Sequence, residues 1–239
     1  SFKWHFRWYA LLLSPAVTAE GHRQPELWLY PQALVLFATA PYGEAGHSWD
    51  HKEAHVTNSA VNRDQAGYCS RSPWSLRTLE TALAFCASGE CSSQAVADTS
   101  RFTVDALKAQ SYYIMGRAFG EGFRLQRREA EAQGDAGSSV GKCTAVYGVD
   151  MMLDRFGKAW LHEIQMRPQM DVACPQDEAH KDRFFVSVIQ HLRWRRRGAA
   201  SAALGARRDA VGLEWQPLMC DDVLACPNCS LHVGSVSCP

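Results

Sequence analysis

The residues best suited to chemistry are three oxygen-bearing side chains on two short segments in the second half of the chain. Asp150 lies in the first segment, and Glu163 and Gln165 lie in the second. Two carboxylates and an amide oxygen suit Mg²⁺, particularly when the phosphates of a nucleotide supply the remaining ligands. These residue types are therefore candidate ligands for a hard cation such as Mg²⁺.

The two segments that carry these residues are predicted to form a β-hairpin. Residues 145–154 and 159–166 are rich in residues that favour strands, and Gly157 lies in the four-residue connection between them. A short connection that contains glycine, placed between two such runs, is a hairpin signal.

The register of the hairpin decides whether the acids meet. If Asp154 pairs with Ala159, Asp150 lies opposite Glu163, and alternation places Gln165 on the same face. Directly opposed carboxylates repel unless a cation, a shared proton or full solvation compensates them. The register alone leaves two interpretations open: a metal site, or a surface hairpin whose acids both face water.

The hairpin resembles that of the tubulin–tyrosine ligase-like enzymes, which are ATP-grasp ligases. Residues 148–150 read Gly-Val-Asp, and residues 160–168 read Trp-Leu-His-Glu-Ile-Gln-Met-Arg-Pro. The usual family forms are Gly-Phe-Asp and Trp-Leu-x-Glu-Val-Asn-x-x-Pro.

Three further segments resemble the same family in the same order. Residues 2–13 resemble its Lys-Phe-Asp-x-Arg strand, and residues 29–42 resemble the strand pair that ends in Arg-Phe-Ala-Thr-x-x-Tyr. Residues 55–62, His-Val-Thr-Asn-Ser-Ala-Val-Asn, resemble the motif His-Leu-Thr-Asn-x-Ser-Ile-Asn. Because the matches extend with gaps over residues 1–195, this stretch is expected to be the C-terminal part of a catalytic ATP-grasp domain.

The resemblance implies a reaction and a set of site residues. In this family ATP phosphorylates a carboxylate, and an amine then attacks the acyl phosphate to give an amide or peptide bond. Asp150 and Glu163 would hold Mg²⁺ against the phosphates of ATP. Gln165 stands where the family has a metal-binding asparagine, and its amide oxygen would serve in the same way.

Four further residues match positions that contact the nucleotide in the family. Lys3, Thr57 and Asn58 match nucleotide-binding residues, and Arg7 matches a catalytic arginine near the phosphates. A guanidinium suits the charge of an acyl phosphate because it can donate two parallel hydrogen bonds. The alternative for Lys3 and Arg7 is a pair of exposed charges, since both fall on one face of a strand.

Three departures from the family keep a second function open. His5 replaces an aspartate, Leu36 replaces an arginine that binds the carboxylate of the incoming amino acid in glutamate-adding relatives, and Gln165 replaces the asparagine. The first hypothesis is an ATP- and Mg²⁺-dependent ligase that adds glutamate, glycine or tyrosine to a protein carboxylate, with tubulin as the expected acceptor. The second is a non-catalytic relative that binds tubulin or microtubules. A more remote third is a ligase with another acceptor.

The expected fold is α+β, a largely antiparallel sheet with helices packed on it. Strands are predicted over residues 1–13, Leu27–Tyr30 and Ala33–Thr39, in addition to the hairpin. A helix should begin after Thr103 as N-cap and run to about Arg128, with Ser111 interrupting its apolar face. A second helix is predicted near residues 179–195, with a buried face made of Phe184, Phe185, Val188, Ile189 and Leu192.

Polar and low-complexity stretches separate these elements. Residues 63–100 are expected to be an insertion with a short helical pattern around Leu76–Phe85, and residues 129–142 a flexible loop. Residues 196–210 are expected to be mobile, and residues 196–239 to be a low-complexity, cysteine-containing tail outside the domain.

Composition sets bounds on the partners and the compartment. Lys+Arg and Asp+Glu are both 25, so net charge favours neither nucleic acid nor a membrane, and no apolar run is long enough to span a bilayer. Nine scattered cysteines indicate a reducing compartment rather than a disulfide framework. Together with this compartment, the family resemblance implies a location in the cytoplasm and at the cytoskeleton, with the cilium or basal body as candidates. The chain opens at Ser1 rather than Met, which suggests a fragment.

Two clusters carry weaker signals. Basic residues concentrate at 191–197, where they would either attract the acidic C-terminal tails of tubulin or stabilise the end of a helix. Cys226 and Cys229 form a CxxC pair with Cys220, His232 and Cys238 nearby, which predicts either a zinc site or an unstructured tail with free thiols.

Overall fold

Within the described part of the chain, an antiparallel sheet is flanked by helices, as the α+β expectation requires. The computed structural model describes residues 3–17, 23–42, 50–65, 68–71, 103–133, 144–154, 156–172, 174–196, 207–208 and 214–217. The strands are β1 (Trp4–Val17), β2 (Arg23–Leu29), β3 (Leu34–Phe37), β4 (Ala145–Leu153), β5 (Ala159–Met166), β6 (Arg207–Arg208) and β7 (Glu214–Pro217). The helices are α1 (Lys52–His55), α2 (Ser59–Asn62), α3 (Tyr68–Arg71), α4 (Val104–Ala132) and α5 (Pro175–Arg196).

Strand β1 is the centre of the sheet. The strand order is β5-β4-β1-β2-β7-β6, and β3 also pairs with β1. On one side β1 pairs with β4, and on the other its first half pairs with β3 and its second half with β2, always antiparallel. The predicted strands on either side of Pro31 therefore follow one another along the same edge of β1.

Helix α4 covers one face of the sheet with apolar side chains. The even-numbered residues Phe6, Trp8, Ala10 and Leu12 of β1 form one core cluster with helix residues that include Leu107, Met115 and Phe119. Thr103 caps the helix as predicted, because its hydroxyl accepts the backbone N–H of Ala106 at 3.1 Å. The hydroxyl of Ser111 interrupts the apolar face without cost, since it donates to the carbonyl oxygen of Leu107 at 2.7 Å.

The C-terminal end of α4 lies further along the chain than predicted. The helix runs to Ala132, so the flexible loop predicted from residue 129 is helical over its first four residues. Residues 134–142 of that loop lie outside the described part of the chain. Glu and Ala, which dominate residues 129–132, are good helix formers, and this local propensity extends the helix.

Helix α5 packs on the opposite face, over the second half of β1. Phe184 and Val188 enter a core cluster with Tyr9, Leu11 and Leu13 of β1. The helix begins at Pro175, four residues before the predicted start, and proline is well suited to a first helical turn.

The predicted buried face of α5 was half wrong. Phe184 and Val188 are buried, but Phe185 and Ile189 are 43% and 47% exposed. The side of the helix that faces the sheet also carries polar residues, namely Asp177, His180, Lys181, Ser187 and His191, all of which are buried. Leu192 is partly buried against the same core cluster, so apolar residues alone predicted Phe184, Val188 and Leu192 correctly and Phe185 and Ile189 wrongly.

A short strand in the expected tail belongs to the sheet. Strand β7 pairs with β2, and Trp215 within it is 1% exposed. The indole N–H of Trp215 donates to the hydroxyl of Ser187 on α5 at 2.7 Å. The expectation of an unstructured segment after residue 196 is therefore wrong for Arg207–Arg208 and for Glu214–Pro217, which pair with each other. Cys220, Cys226, Cys229, His232 and Cys238 lie outside the described residues.

A disulfide joins two distant segments. Cys69 on α3 pairs with Cys174, directly before α5, with 5.6 Å between the two Cα atoms and 105 residues of sequence separation. The expectation that the scattered cysteines form no disulfides, from which a reducing compartment was inferred, is wrong for this pair, because spacing along a chain does not reveal which cysteines meet in space. The bond anchors α3, which lies in the predicted insertion, while the helical pattern at 76–85 lies outside the described residues. Among the described helices, none combines the length and apolar character needed to cross a membrane.

Candidate nucleotide and metal site

The hairpin of β4 and β5 brings the two predicted metal ligands face to face. Asp150 pairs directly with Glu163, as predicted. The predicted register holds on this side of the hairpin, but near the turn it is Leu153, not Asp154, that pairs with Ala159.

A β-bulge reconciles the two registers. The register shifts between Asp150 and Met151, which leaves His162 as an extra residue on β5. Bulges re-aim side chains, and both His162 and Glu163 line the cavity described below. Without the bulge, the pairing at the turn would place His162 opposite Asp150.

The hairpin turn is held from both ends. Gly157 adopts a positive φ of 78°, a conformation that favours glycine. The carboxylate of Asp154 accepts the backbone N–H groups of Phe156 at 2.9 Å and Lys158 at 3.0 Å. From α4, the amide oxygen of Gln110 accepts the N–H of Ala159 at 3.1 Å. The sheet and α4 thereby fix the hairpin that carries the acids.

Arg7 lies beside Asp150 on the central strand. The two residues are paired across β1 and β4, so Arg7, Asp150 and Glu163 form one row across three strands. The guanidinium donates to both carboxylate oxygens of Asp150, from Nε and from Nη2, at 2.6 Å each. With Arg7 9% and Asp150 4% exposed, this ion pair is buried, and the alternative of an exposed strand charge is wrong for Arg7.

Gly148 gives Pro168 the room to pack against β4 beside Arg7. A Cβ atom at this position would lie 2.8 Å from the Cβ of Pro168 and 3.5 Å from the Cδ and Nε of Arg7. The glycine of the Gly-Val-Asp motif is therefore a packing requirement of the site, which sequence reasoning did not identify.

The charge of Arg7 is stabilised by its partner. Burial would lower the pKa of Arg7, but the hydrogen bonds and negative charge of Asp150 outweigh it, and the pKa is raised. The guanidinium therefore stays charged, and it keeps N–H groups beyond the two that bind Asp150.

His5 is a neutral residue in the same site. Burial lowers its pKa to about 4, against the opposing charge of Asp150. Its Nδ1 shares a hydrogen bond of 2.5 Å with the hydroxyl of Thr57, while its buried Nε2 lies 3.6 Å from Asp150 and has no hydrogen-bond partner among the described residues. At neutral pH this 3.6 Å contact is therefore not an ion pair.

The segment around α2 is organised by two asparagines. The side chain of Asn58 caps α2 by accepting the N–H of Ala60 at 2.9 Å. Asn62, which is fully buried, accepts from Thr39 through its N–H and its hydroxyl and donates to the carbonyl oxygens of Val56 and Asn58. Asn62 thus ties the segment to the residues that follow β3. Asn62 is the last residue of the motif at 55–62, but the spacing of the motif does not reveal this structural role.

A cavity of about 330 Å³ collects most of the predicted site residues. Six of the seven line it, from three parts of the chain: Lys3, Arg7, Thr57, Asn58, Asp150 and Glu163. The seventh, Gln165, is not among the lining residues and donates from its side-chain amide to the carboxylate of Glu163. Its side-chain NH₂ group holds Glu163, and the role of its amide oxygen as a metal ligand stays a prediction.

The donor set of the cavity fits magnesium only together with a phosphate ligand. Among the described residues no group of three or more His, Cys, Asp or Glu side chains could enclose a metal. Mg²⁺ is commonly held by one or two carboxylates plus the phosphates of a substrate. Asp150 and Glu163 provide the carboxylates, and Lys3 and Arg7 provide positive charge for phosphates.

Comparison with known proteins identifies the family of the chain. Residues 2–197 match the model of the tubulin-tyrosine ligase family, a span that contains every residue of the candidate site. The chain belongs to this family. The tubulin-tyrosine ligase match also covers the whole of α5, which carries part of the second core cluster.

The chain is also similar to one curated protein over most of its own length. The chain is 22% identical over 190 residues to a protein of Tetrahymena thermophila named probable alpha-tubulin polyglutamylase Ttll1. The aligned region is 79% of this chain and 39% of the relative, so the chain spans well under half the length of the protein it matches.

Proposed function

We propose that this protein is an ATP- and Mg²⁺-dependent ligase of the ATP-grasp type, which joins an amino acid to a carboxylate of a protein acceptor, with tubulin as that acceptor. The observation that carries the proposal is the row of Arg7, Asp150 and Glu163 across three strands, at a cavity that Lys3, Thr57 and Asn58 also line. The described residues thus combine carboxylates for a metal with cations for phosphates.

The residues of the cavity would divide the work of phosphoryl transfer. ATP would supply the phosphoryl group that activates the acceptor carboxylate, and Mg²⁺ would neutralise charge on its phosphates. Asp150 and Glu163 would hold the metal, and Lys3 would contact the nucleotide. Arg7 would use its remaining N–H groups for the transferring phosphoryl group while its other donors keep Asp150 in place.

The hydrogen bonds around the cavity support preorganisation. The Arg7–Asp150 pair and the Gln165–Glu163 contact fix both carboxylates before a ligand enters. Thr57 is held by neutral His5, and Asn58 is held as the cap of α2. Groups fixed in advance need little reorganisation at the moment of reaction, and this is the main service of such a site.

The name of the Tetrahymena relative supports tubulin as the acceptor, and the basic end of α5 supports it by charge. Arg193 is exposed in the last turn of that helix, where cations would attract the acidic tails of tubulin. The protein would then act in the cytoplasm at the cytoskeleton, with the cilium or basal body as candidate locations. Residues 1–195 would be the C-terminal part of the catalytic domain.

Substitution of one carboxylate tests the ligase proposal. Glu163→Gln in the full-length protein should abolish ATP-dependent incorporation of a labelled amino acid into tubulin, since the metal would lose a charged ligand. Glu129→Gln, on α4 at the opposite face of the sheet, is the matched control and should keep full activity. Unchanged incorporation in Glu163→Gln would sink the mechanism.

A second function, microtubule binding without catalysis, is favoured by specific contacts. Both oxygens of Asp150 are already bound by Arg7, a neutral histidine stands at position 5, and Gln165 donates to Glu163. This function predicts co-sedimentation with microtubules that Glu163→Gln leaves intact. If the wild-type protein does not co-sediment at low salt, this second function is excluded.

A further inference from the structure

The disulfide of Cys69 and Cys174 joins two segments that both lead to the candidate site. Cys69 lies near the end of the helical segment, which consists of α1, α2 and α3 (residues 50–65 and 68–71) and carries Thr57 at the cavity. Cys174 lies between strand β5 of the hairpin and helix α5. The described residues of the helical segment form no strand, so the sheet does not hold this segment by backbone pairing.

Hydrogen bonds hold the first part of the helical segment in place. The side chain of Asn62 accepts the backbone N–H of Thr39 at 3.0 Å and its hydroxyl at 2.6 Å. The carbonyl oxygen of Glu53 accepts the N–H of Ala40 at 3.2 Å. These bonds attach α1 and α2 to the residues that follow β3.

Helix α3 is attached differently, at the far end of the same segment. It is joined to the body of the protein through the covalent bond of Cys69 and the packing of the buried Tyr68. Opening the disulfide therefore removes an attachment of α3 and leaves the hydrogen bonds of α1 and α2 in place.

A cleft between the joined segments connects the disulfide to the site. Tyr68 lines this cleft on the side of α3, and Asp171 lines it on the side that leads to Cys174. Arg7 lines both this cleft and the cavity of the candidate site. A movement of α3 therefore changes the surroundings of the arginine that holds Asp150.

The two bonded cysteines differ in their exposure to solvent. Cys174 is 2% exposed, whereas Cys69 is partly exposed. A thiolate from solution therefore reaches the sulfur of Cys69 more readily, and access is one of the factors that set the rate of thiol–disulfide exchange.

Reduction by a dithiol would proceed in two balanced exchange steps. A thiolate of the dithiol attacks Sγ of Cys69 and forms a mixed disulfide there, while the bond to Sγ of Cys174 breaks and Cys174 leaves as a thiolate that takes up a proton. The second thiol of the reductant then attacks the mixed disulfide, which releases Cys69 as a thiol. Two electrons pass to the protein, and the dithiol becomes a disulfide.

We propose that Cys69 and Cys174 form a thiol–disulfide switch, which dithiols open and disulfides such as oxidised glutathione close, and that the oxidised form binds the nucleotide more tightly. The closed bond keeps the helical segment, with Thr57, in position at the cavity. In a reducing cytoplasm, disulfides are usually transient, catalytic or redox-sensing rather than permanent. This inference rests on the proposed function, which supplies both the compartment and the nucleotide.

Thermodynamic linkage makes the switch reciprocal. If the disulfide raises the affinity for ATP by some factor, bound ATP must favour the disulfide over the two thiols by the same factor. Nucleotide affinity and redox equilibrium are therefore two independent measurements of one coupling.

Titration with glutathione tests whether the pair is a switch. Full-length protein is equilibrated at varied ratios of reduced to oxidised glutathione and trapped with iodoacetamide, and mass spectrometry measures the reduced fraction of Cys69 and Cys174. The pair should pass from oxidised to reduced while circular dichroism shows a folded protein. A pair that is reduced only when the protein unfolds would overturn the proposal.

Hydrogen–deuterium exchange tests whether reduction acts on the helical segment. Peptides that cover α2 and α3 should exchange at least about tenfold faster in the reduced protein, because an attachment of this segment is lost. Peptides from the first half of α4, on the opposite face of the sheet, should exchange equally in both forms. Equal exchange of α2 and α3 in both forms would overturn the switch.

Calorimetry then measures the coupling to the nucleotide. Oxidised wild type should bind ATP with Mg²⁺ about threefold to tenfold more tightly than the dithiothreitol-reduced protein or the variant Cys69→Ser/Cys174→Ser. The control Cys238→Ser removes a thiol but keeps the disulfide, and it should respond to the reductant as the wild type does. Saturating ATP should shift the glutathione titration towards the disulfide by the same factor.

The measurements separate a failure of this inference from a failure of the proposed function. Equal ATP affinity of the oxidised and reduced forms would overturn the inference and leave the ligase function standing. If neither form binds ATP, the ligase function fails. Faster exchange of α2 and α3 on reduction would then still support the switch, and unchanged exchange would overturn it.

Discussion

The two faces of strand β1 are built by opposite means. Its even-numbered residues, such as Phe6 and Trp8, are apolar and packed under α4. Its odd-numbered residues begin with His5 and Arg7, which line the cavity of the candidate nucleotide and metal site, and continue with Tyr9 under α5. One strand thus forms the core on one side and the site on the other, because alternation separates the two sets of side chains.

The difference teaches where the protein is vulnerable. Apolar burial under α4 is non-directional and shared among many side chains, so it depends little on any single geometry. The site face depends on a buried ion pair, which is favourable only while both partners and their hydrogen bonds are present. A single substitution on the site face should therefore cost stability as well as activity.

Removing the cation of the ion pair is expected to have the largest effect. Arg7→Met should lower the free energy of unfolding by about 3–5 kcal/mol, since Asp150 would remain buried without a partner. Urea titration followed by circular dichroism measures the change. The double variant Arg7→Met/Asp150→Leu should recover most of the loss. A cost below roughly 1 kcal/mol for the single variant would break the comparison between the two faces.

Loss of the disulfide is expected to come next. The double variant Cys69→Ser/Cys174→Ser should be less stable by about 2–4 kcal/mol, because the bond closes a long loop in the unfolded chain. Thermal unfolding with and without dithiothreitol checks this. The reductant should lower the Tm of the wild type and leave the double variant unchanged; an equal shift in both would contradict the cross-link.

The polar interior of α5 should make stability depend on pH. Burial lowers the pKa of His180 to about 4, whereas the unfolded chain titrates near the ordinary value of 6.5. Between these values the unfolded state binds more protons, so stability is present above pH 6.5 and declines as the pH falls towards 4. From about pH 7 to about pH 5 the loss from this residue should be about 2 kcal/mol. His180→Phe should make the pH profile of the unfolding free energy less steep by this amount, while His5, whose pKa is also lowered to about 4, keeps its own contribution. An unchanged profile would refute the assignment.

The smallest effect is expected on the outer side of α5. Ile189 is half-exposed, so Ile189→Gln should change the free energy of unfolding by less than about 0.5 kcal/mol. Denaturant titration would reveal a larger loss. A larger loss would mean that the outer side of α5 is also a packing surface. The comparison would then include this surface beside the two faces of β1.

Local sequence patterns predicted the two strands of the hairpin and the pairing of Asp150 with Glu163, but not the pairing at the turn. Strand propensity and Gly157 fixed the two strands, and the register chosen from the sequence places Asp150 opposite Glu163 as observed. The bulge at His162 could not be predicted, because a one-residue shift leaves the alternation on either side of it intact. The prediction is right at the site and wrong by one residue at the turn.

Contacts between residues far apart in the chain could not be predicted from local sequence patterns. The ion pair of Arg7 and Asp150 spans 143 residues and the disulfide spans 105, and no local periodicity records either pairing. The buried polar side of α5 was missed for a related reason, since His180 and Lys181 acquire their surroundings only in the folded chain. The motifs around Lys3, Thr57 and Asp150 were found through family resemblance, and their roles remain proposals.

Nucleotide binding tests the central claim most directly. Isothermal titration calorimetry on the full-length protein would compare ATP with Mg²⁺ and ATP with EDTA, for the wild type, Glu163→Gln and the control Glu129→Gln. The site predicts Mg²⁺-dependent binding that Glu163→Gln weakens at least tenfold and Glu129→Gln preserves. Absence of ATP binding by the wild type, or binding that ignores both Mg²⁺ and Glu163, would contradict a nucleotide and metal site at the row of Arg7, Asp150 and Glu163.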